Sequence, residues 1–208
     1  MKTDIILSGV GGQGILSIAA VIGEAAVREG LYMKQSEVHG MSQRGGDVQS
    51  NLRLSDAPIA SDLIPLGRAD LIISLEPMEG LRYLPYLKRD GWLVTSICPF
   101  VNIPAYPAME RIQAALDRLP NTVRLDVEAL ARETGSPRTA NIVLLGASTS
   151  FLGLGYDPVA AGVRSIFGRK GEDVVRMNLK ALQAGYDAEQ KMTVSVRFTT
   201  AKARKSPE

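Results

Sequence analysis

Cysteine, histidine and aromatic residues are scarce in this sequence of 208 residues, which has one cysteine, one histidine and 5% aromatics. The single cysteine, Cys98, excludes an internal disulfide, the four thiolates of an iron–sulfur cluster and the paired ligands of a structural zinc site. The single histidine, His39, excludes a multi-histidine metal centre. The sequence therefore predicts no metal site on this chain.

Long apolar runs and an excess of one charge are also missing. No segment approaches the roughly 18 consecutive apolar residues of a membrane span, and the first apolar run is too short for a signal peptide. The 24 basic and 22 acidic residues give a net charge of +2, and outside the C-terminal tail the basic residues are scattered. Without a phosphate-neutralising patch, nucleic acid is not an expected partner. We expect a cytoplasmic protein that binds neither membranes nor nucleic acid.

Glycine is abundant, with 20 residues, and the rest of the chain alternates apolar runs with helical patterns. This alternation predicts a single α/β domain with a doubly wound sheet over residues 1–192, followed by a basic, unpatterned tail at 193–208. The predicted strands are Asp4–Ser8, Tyr32–Val38, Asp47–Leu54, Ala69–Leu75, Trp92–Ile97 and Thr122–Asp126. The predicted helices are Gly14–Arg28, Pro77–Leu87, Met109–Leu119, Val127–Thr134, Asn141–Leu152 and Val175–Tyr186.

A glycine turn, Gly9-Val10-Gly11-Gly12-Gln13-Gly14, matches the pattern G-x-G-x-x-G between the first strand and the first helix. Such a turn leaves the first helical N–H groups free to bind an anion at the positive end of the helix. The alternative is tight packing of strand against helix without a ligand. Gln13 favours the ligand, since a polar side chain within the turn has little packing reason to be there. The candidate cofactor-binding residues are Gly9, Gly11, Gly12, Gln13 and Gly14.

A polar loop over residues 36–46 concentrates hydrogen-bonding side chains between glycines. One interpretation is a surface connection in which His39 and Arg44 pair with Glu37. The other is the rim of a site, since the Arg44 fork suits carboxylate or phosphate and His39 can move a proton near neutral pH. We predict a loop that faces a substrate or a partner through Glu37, His39, Gly40, Ser42, Gln43, Arg44, Gly45 and Gly46, with His39 and Arg44 in supporting catalytic roles.

The glycine turn and the polar loop together resemble the gamma subunits and gamma domains of 2-oxoacid:ferredoxin oxidoreductases, most of all the indolepyruvate branch. The similarity rests on Gly9-Val10-Gly11-Gly12-Gln13-Gly14-Ile15-Leu16 and on Glu37-Val38-His39-Gly40-Met41-Ser42-Gln43-Arg44-Gly45-Gly46. A third segment, Asn141-Ile142-Val143-Leu144-Leu145-Gly146-Ala147, is similar to a further family segment. The resemblance spans about residues 4–190 and implies a Rossmann-like domain with a mostly parallel sheet.

The resemblance also implies the chemistry and the partners. Family enzymes decarboxylate a 2-oxoacid on thiamine diphosphate with Mg²⁺, pass electrons through [4Fe–4S] clusters to ferredoxin and release an acyl-coenzyme A. In the arylpyruvate branch the large subunit carries these cofactors, and this sequence has neither cluster cysteines nor the thiamine diphosphate signature. The chain is then inactive alone, with coenzyme A as co-substrate, and the surface for the large subunit would let the isolated chain form a homodimer.

Two other classes remain open at the level of sequence. The first is a stand-alone NAD(P)-binding Rossmann oxidoreductase, with Glu37 on the ribose. The second is a non-catalytic subunit that is required only for assembly. Among other residues, we expect Cys98 to be a small buried apolar group, and Glu76 and Glu79 to favour the N-terminus of a helix.

Overall fold

The computed structural model describes residues 1–39, 45–101 and 103–203, without the side chains of residues 39 and 193–203. Strands and helices alternate over most of this length. The strands are β1 Lys2–Val10, β2 Tyr32–His39, β3 Asp47–Ser55, β4 Ala69–Ser74, β5 Leu87–Ser96 and β6 Thr122–Leu125. The helices are α1 Ile15–Arg28, α2 Pro77–Arg82, α3 Met109–Asp117, α4 Val127–Thr134, α5 Ala140–Leu152, α6 Tyr156–Phe167 and α7 Glu172–Ala203.

The six strands form one sheet in the order β2-β3-β1-β4-β5-β6. The pairs β1–β4, β4–β5 and β5–β6 are parallel, whereas β3 runs antiparallel to both β1 and β2. The predicted single-domain α/β fold with a mostly parallel sheet is confirmed. The difference from a simple βαβ unit is that β3 lies between β1 and β2, because the chain turns back after β2 and inserts itself beside β1.

Apolar residues cover both faces of the sheet, since neighbouring residues of a strand point to opposite sides. Ile5 and Leu7 belong to a large core cluster with residues of α1, α5, α6 and α7. Ile6, between them, belongs to a smaller cluster that includes Ile112 and Leu116 of α3. All three β1 side chains are fully buried, and burial of each stabilises the fold by about 1.5–3 kcal/mol. Because the sheet is covered on both faces, the sites open to ligands lie at its ends.

Glycines allow α5 and α7 to pack closely. A Cβ added at Gly146 would lie 2.0 Å from the carbonyl oxygen of Leu182, and one at Gly185 would lie 1.8 Å from that of Val143. Both distances are far below van der Waals contact, so no larger residue fits between these helices. This contact fixes the position of the N-terminal end of α5, which faces the glycine turn.

The C-terminal third of the chain differs most from the prediction. Helix α6 was not predicted, because Gly153 and Gly155 come just before it and Gly162 lies within it. Glycine has a low helix propensity. Helix α7 continues to Ala203, so residues 193–203 have a helical backbone where the sequence predicted an unpatterned tail. The domain boundary at residue 192 stays a prediction. Within the described residues, no helix is long and apolar enough to cross a membrane.

Candidate functional site

The glycine turn lies between β1 and α1 at the carboxyl end of the parallel strands. Gly12 and Gly14 have φ angles of +101° and +88°, which residues with a side chain rarely adopt. A Cβ at Gly14 would also lie 2.7 Å from Nδ2 of Asn141, whereas one at Gly12 would meet open space. The turn therefore requires glycine at Gly12 for the backbone alone, and at Gly14 for the backbone and for close packing.

The Gln13 side chain has a structural role that the sequence analysis did not expect. Its Oε1 accepts a hydrogen bond of 2.7 Å from the backbone N–H of Val10, and its Nε2 donates one of 3.3 Å to the carbonyl of Leu75. Contrary to the expectation from the sequence, Gln13 does have a packing role, because its side chain closes the turn and joins it to the end of β4. A ligand contact by Gln13 stays a prediction.

Asn141 joins the third family-like segment to the glycine turn. Its Nδ2 donates a hydrogen bond of 3.1 Å to the carbonyl of Gly14, and its Oδ1 accepts one of 3.0 Å from the N–H of Ile142. The side chain is buried, with 8% exposure. Asn141 is thus hydrogen-bonded to a residue far away in the sequence, and no local sequence pattern could have predicted this contact.

The base of the polar loop is bonded to the same turn. Gly11 donates a backbone hydrogen bond of 2.9 Å to Gly46, and Gly45 donates one of 3.4 Å to Gly11. His39 is the last residue of β2 and pairs with Val48. The structure therefore brings Gly45 and Gly46 to the glycine turn, and their role in facing a substrate or a partner stays a prediction.

The other predicted residues of the loop fall outside the part of the chain that the structure describes. Gly40, Met41, Ser42, Gln43 and Arg44 lie outside the described residues, as does the side chain of His39. The catalytic roles of His39 and Arg44, and the facing positions of Gly40, Ser42 and Gln43, stay predictions.

Glu37 lies near the glycine turn in a geometry unlike that of dinucleotide-binding proteins. The half-buried residue lines a cavity of 250 Å³ together with Val10, Gly11, Gly12 and Gly14. In the dinucleotide fold the acidic residue ends the strand adjacent and parallel to the first strand. Here the antiparallel β3 separates β2 from β1. The fold therefore disfavours the interpretation in which Glu37 binds a ribose.

A charged cluster adjoins the base of the polar loop and contains residues that the sequence analysis missed. Arg82 Nε lies 2.7 Å from Glu79 Oε2, and the Tyr83 hydroxyl donates a hydrogen bond of 2.6 Å to Asp47 Oδ2. Burial and the neighbouring Asp47 charge raise the pKa of Glu79 against the opposing bond from Arg82. Burial and Asp47 likewise raise the pKa of Tyr83. No spacing rule links Asp47 to residues of α2, so only the fold reveals the cluster.

Glu76 begins α2 and is completely buried. Its Oε2 accepts a hydrogen bond of 2.8 Å from the N–H of Glu79, which confirms the predicted preference for a helix N-terminus. Its Oε1 accepts bonds from the Tyr106 hydroxyl and, at 3.4 Å, from the N–H of Phe100. The carboxylate therefore also positions the segment after β5.

A crevice of 790 Å³ opens beside the glycine turn at the carboxyl ends of β1, β4 and β5. The connection after β1 leads to β2 at one edge of the sheet, whereas the connection after β4 leads in the opposite direction, to β5. Ligands of open α/β sheets bind at this kind of switch point. The lining includes Gly12, Gln13, Gly14, Cys98, Phe100, Arg138, Asn141 and Lys170. The crevice is large enough for a cofactor-sized molecule.

Cys98 lines this crevice and is only partly buried. Its thiol donates a hydrogen bond of 3.2 Å to Asp126 Oδ1, and burial together with that bond raises the pKa of Cys98. A raised pKa keeps the sulfur protonated, so Cys98 is not an activated nucleophile. The expected apolar burial is wrong in detail, because the thiol faces a carboxylate and a crevice. No group of three potential metal-ligating side chains occurs within the described residues.

Comparisons with known proteins agree with this geometry. The family model for pyruvate ferredoxin/flavodoxin oxidoreductase matches residues 4–188. The chain is 38% identical over 199 residues to indolepyruvate oxidoreductase subunit IorB of Pyrococcus horikoshii, with 91% of this chain and 96% of that protein covered.

Two solved structures share the fold. The keto/oxoacid ferredoxin oxidoreductase gamma subunit from Geobacter sulfurreducens has a TM-score of 0.66 and 25% identity, with 91% of this chain and 99% of that chain covered. The 2-oxoglutarate:ferredoxin oxidoreductase from Magnetococcus marinus, solved with 2-oxoglutarate, coenzyme A and succinyl-CoA bound, has a TM-score of 0.72 and 21% identity. That match covers 91% of this chain but 31% of the longer one. This chain therefore belongs to the pyruvate ferredoxin/flavodoxin oxidoreductase family.

Proposed function

We propose that this chain is the small subunit of a heteromeric 2-oxoacid:ferredoxin oxidoreductase that acts on indolepyruvate or a related arylpyruvate. The observation that carries the proposal is the near full-length similarity to indolepyruvate oxidoreductase subunit IorB, at 38% identity. In the overall reaction the bond between the 2-oxo carbon and the carboxylate breaks, and a thioester forms with coenzyme A. Carbon dioxide, the thiol proton and two electrons are released, and ferredoxin accepts the electrons.

The division of labour follows from the residues. The single cysteine of this chain cannot hold a four-cysteine cluster, so we assign the [4Fe–4S] clusters, thiamine diphosphate and Mg²⁺ to the large subunit. Thiamine diphosphate would supply the stabilisation of negative charge that decarboxylation of a 2-oxoacid requires. What remains for this chain is to bind coenzyme A and to complete the active site of its partner.

The crevice beside the glycine turn supports a coenzyme A site. Gly14 precedes the first turn of α1, and Ser17, in that turn, lines the crevice together with Gly12 and Gly14. Backbone N–H groups at a helix N-terminus favour a phosphate. The size of the crevice and its position at the switch point agree with a polyanionic ligand, and Glu128 is the one carboxylate among the described residues that line it.

The polar loop, including His39 and Arg44, would then face the partner's active site. We assign to Arg44 the binding of a carboxylate or phosphate, because its charge is permanent and its fork matches both groups. His39 either donates a hydrogen bond to the same ligand or moves a proton near neutral pH.

Reconstitution of the two-subunit enzyme with Arg44→Ala tests this role. We expect kcat/KM for arylpyruvate or coenzyme A to fall at least tenfold, since a charge-assisted hydrogen bond contributes about 1.5–3 kcal/mol. Arg111→Ala, an exposed arginine of α3, is the matched control. Unchanged turnover would refute the role of Arg44, and loss of the complex with normal turnover per remaining complex would instead favour an assembly subunit.

A further inference from the structure

We propose that Arg138 and Lys170 bind the phosphate groups at the adenosine end of coenzyme A. The inference rests on the proposed function, because it assumes that the crevice beside the glycine turn is the coenzyme A site. Both side chains belong to the lining of that crevice, Arg138 just before α5 and Lys170 just before α7. Neither residue was among the predicted site residues, since neither belongs to a recognisable motif.

The charge of the lining favours an anion on this side of the crevice. Arg138 and Lys170 make no ion pair with a carboxylate within the described residues, whereas the one lining carboxylate, Glu128, lies 3.5 Å from Arg132. Lys170 Nζ lies 5.3 Å from the centre of the Phe167 ring, a contact that leaves its N–H groups available. The crevice therefore presents uncompensated positive charge to a ligand.

Arg138 is held in place relative to the glycine turn. Ser136 Oγ accepts a hydrogen bond of 3.3 Å from the N–H of Arg138, and Thr139 Oγ1 donates one of 2.8 Å to the Ser136 carbonyl. Three residues after Arg138, Asn141 bonds to Gly14. The backbone that carries Arg138 is therefore already ordered, so binding of a ligand restricts only the side chain, which favours affinity.

Apolar side chains complete the lining near these cations. Phe100 is 43% exposed, and Phe167, Val174 and Met177 line the same crevice. Such a surface suits a purine ring, since aromatic and methionine side chains pack against flat rings. Two cations beside an apolar surface fit an adenosine that carries phosphates better than they fit a free inorganic anion.

Three thiol substrates that differ in the nucleotide part of the molecule make the test specific. Coenzyme A carries a 3′-phosphate and a diphosphate, dephospho-coenzyme A lacks the 3′-phosphate, and pantetheine lacks the whole nucleotide. In the assembled two-subunit enzyme, the double variant Arg138→Ala/Lys170→Ala should raise KM for coenzyme A at least tenfold, as expected for the loss of about one or two charge-assisted bonds. KM for pantetheine and kcat at saturating coenzyme A should stay within about twofold of the wild-type values, because the residues do not touch the reacting atoms.

The control is Arg169→Ala, since Arg169 is the neighbour of Lys170 in the chain but does not line the crevice. Arg138→Lys and Lys170→Arg keep the charge and should restore most of the affinity. Calorimetric titration of the same complexes with adenosine 3′,5′-bisphosphate gives a readout that is independent of turnover. The double variant should bind this probe at least tenfold more weakly.

An unchanged KM for coenzyme A and an unchanged Kd for the bisphosphate in the double variant would overturn the inference. If the wild-type complex still binds coenzyme A and Gly14→Ala weakens that binding, the proposed coenzyme A site stands without these two residues. If neither Gly14→Ala nor the double variant alters coenzyme A binding, both the site and the inference are wrong. An equal rise of KM for pantetheine in the double variant would also overturn it, since it would indicate general distortion.

Discussion

Two charged regions adjoin the glycine turn, and they differ in whether their charged side chains bond to one another. In the cluster of Asp47, Glu79, Arg82 and Tyr83, the Glu79 side chain is 2% exposed and forms an ion pair with Arg82. Asp47 accepts a hydrogen bond from the hydroxyl of Tyr83. In the crevice, Arg138 and Lys170 meet no carboxylate within the part of the chain that the structure describes. In the first region Glu79 and Asp47 each bond to a side chain of the same cluster, whereas in the second region the two cations remain available to another molecule.

This difference separates structural from ligand-binding charge. When the partner of a buried charge is removed, the stability of the folded state falls, because the remaining charge has neither a partner nor water around it. An exposed, unpartnered cation adds little to stability but attracts a polyanion. Substitutions in the cluster should therefore alter stability and its pH dependence, and substitutions in the crevice should alter binding.

We expect the largest effect from substitution of Gly14, because this residue belongs to the glycine turn that both charged regions adjoin. Gly14→Ala places a side chain at φ +88° and 2.7 Å from Asn141 Nδ2, so it should lower the free energy of unfolding by about 1–3 kcal/mol. Coenzyme A should also bind more weakly to the assembled enzyme. Chemical denaturation and calorimetry measure the two effects.

Two glycines serve as graded controls for this experiment. Gly12→Ala retains the strain of φ +101° but meets open space, so its effect should be smaller. Gly168→Ala has a φ of −54° and no atom within 4 Å, and it should leave stability nearly unchanged or raise it slightly. A Gly168 variant as unstable as the Gly14 variant would contradict the explanation by strain.

The next effect concerns the pH dependence of stability through Glu79. Its pKa in the folded state is raised above the ordinary value of 4.5. The protonated form therefore favours folding below the unfolded pKa, and this stabilisation is lost as pH rises through the folded pKa. Glu79→Gln removes the titration, so the stability of the variant relative to wild type should increase as pH rises through that range.

Denaturation curves at a series of pH values from acidic to neutral test this sign. Glu128→Gln, in the exposed pair with Arg132, should show no such rise, since both side chains are more than half exposed. If the stability of Glu79→Gln relative to wild type falls with pH, the bond from Arg82 outweighs burial and the cluster stabilises the charged form.

Much of the fold could be predicted because its signals are local. Five helices and six strands were placed within a few residues of their observed ends, since buried runs such as Ala69–Ser74 and caps such as Glu76 lie within single segments. The insertion of β3 beside β1 could not be predicted, because strand order depends on long-range pairing. Helix α6 was missed because Gly162 lowers its propensity, although that glycine permits close contact with the Val21 carbonyl.

Less of the site than of the fold could be predicted, because only part of the site lies in short, continuous segments of the sequence. The G-x-G-x-x-G spacing and the polar loop lie in short segments, and the structure joins them through Gly11, Gly45 and Gly46. Arg138 and Lys170 lie in the segments before two different helices, α5 and α7, and share no motif. Gln13 was misjudged in part because one of its two hydrogen-bond partners, Leu75, lies 62 residues away.

The reactivity of Cys98 tests whether the crevice is occupied by the ligand. The raised pKa predicts slow alkylation by iodoacetamide near neutral pH, and Asp126→Asn should speed it several-fold by removing the adjacent negative charge. Asparagine can still accept the bond from Ala129 that begins α4. Coenzyme A should protect Cys98 in the assembled enzyme, and a rate that is insensitive to coenzyme A would contradict binding in this crevice.

We expect the smallest effect from substitution of Arg132. Its partner Glu128 belongs both to an exposed ion pair and to the lining of the crevice. Its pair with Glu128 is exposed on both sides and spans one helical turn, so Arg132→Ala should change the free energy of unfolding by about 0.5 kcal/mol or less. The substitution nevertheless leaves Glu128 uncompensated in the lining of the crevice, where it opposes Arg138 and Lys170. KM for coenzyme A should therefore rise by about twofold while stability hardly changes, and the double substitution with Glu128→Gln should reverse that rise because it removes the exposed carboxylate. A rise that persists in the double variant would mean that Arg132 itself contacts the ligand, and the positive charge of the crevice would then extend along α4.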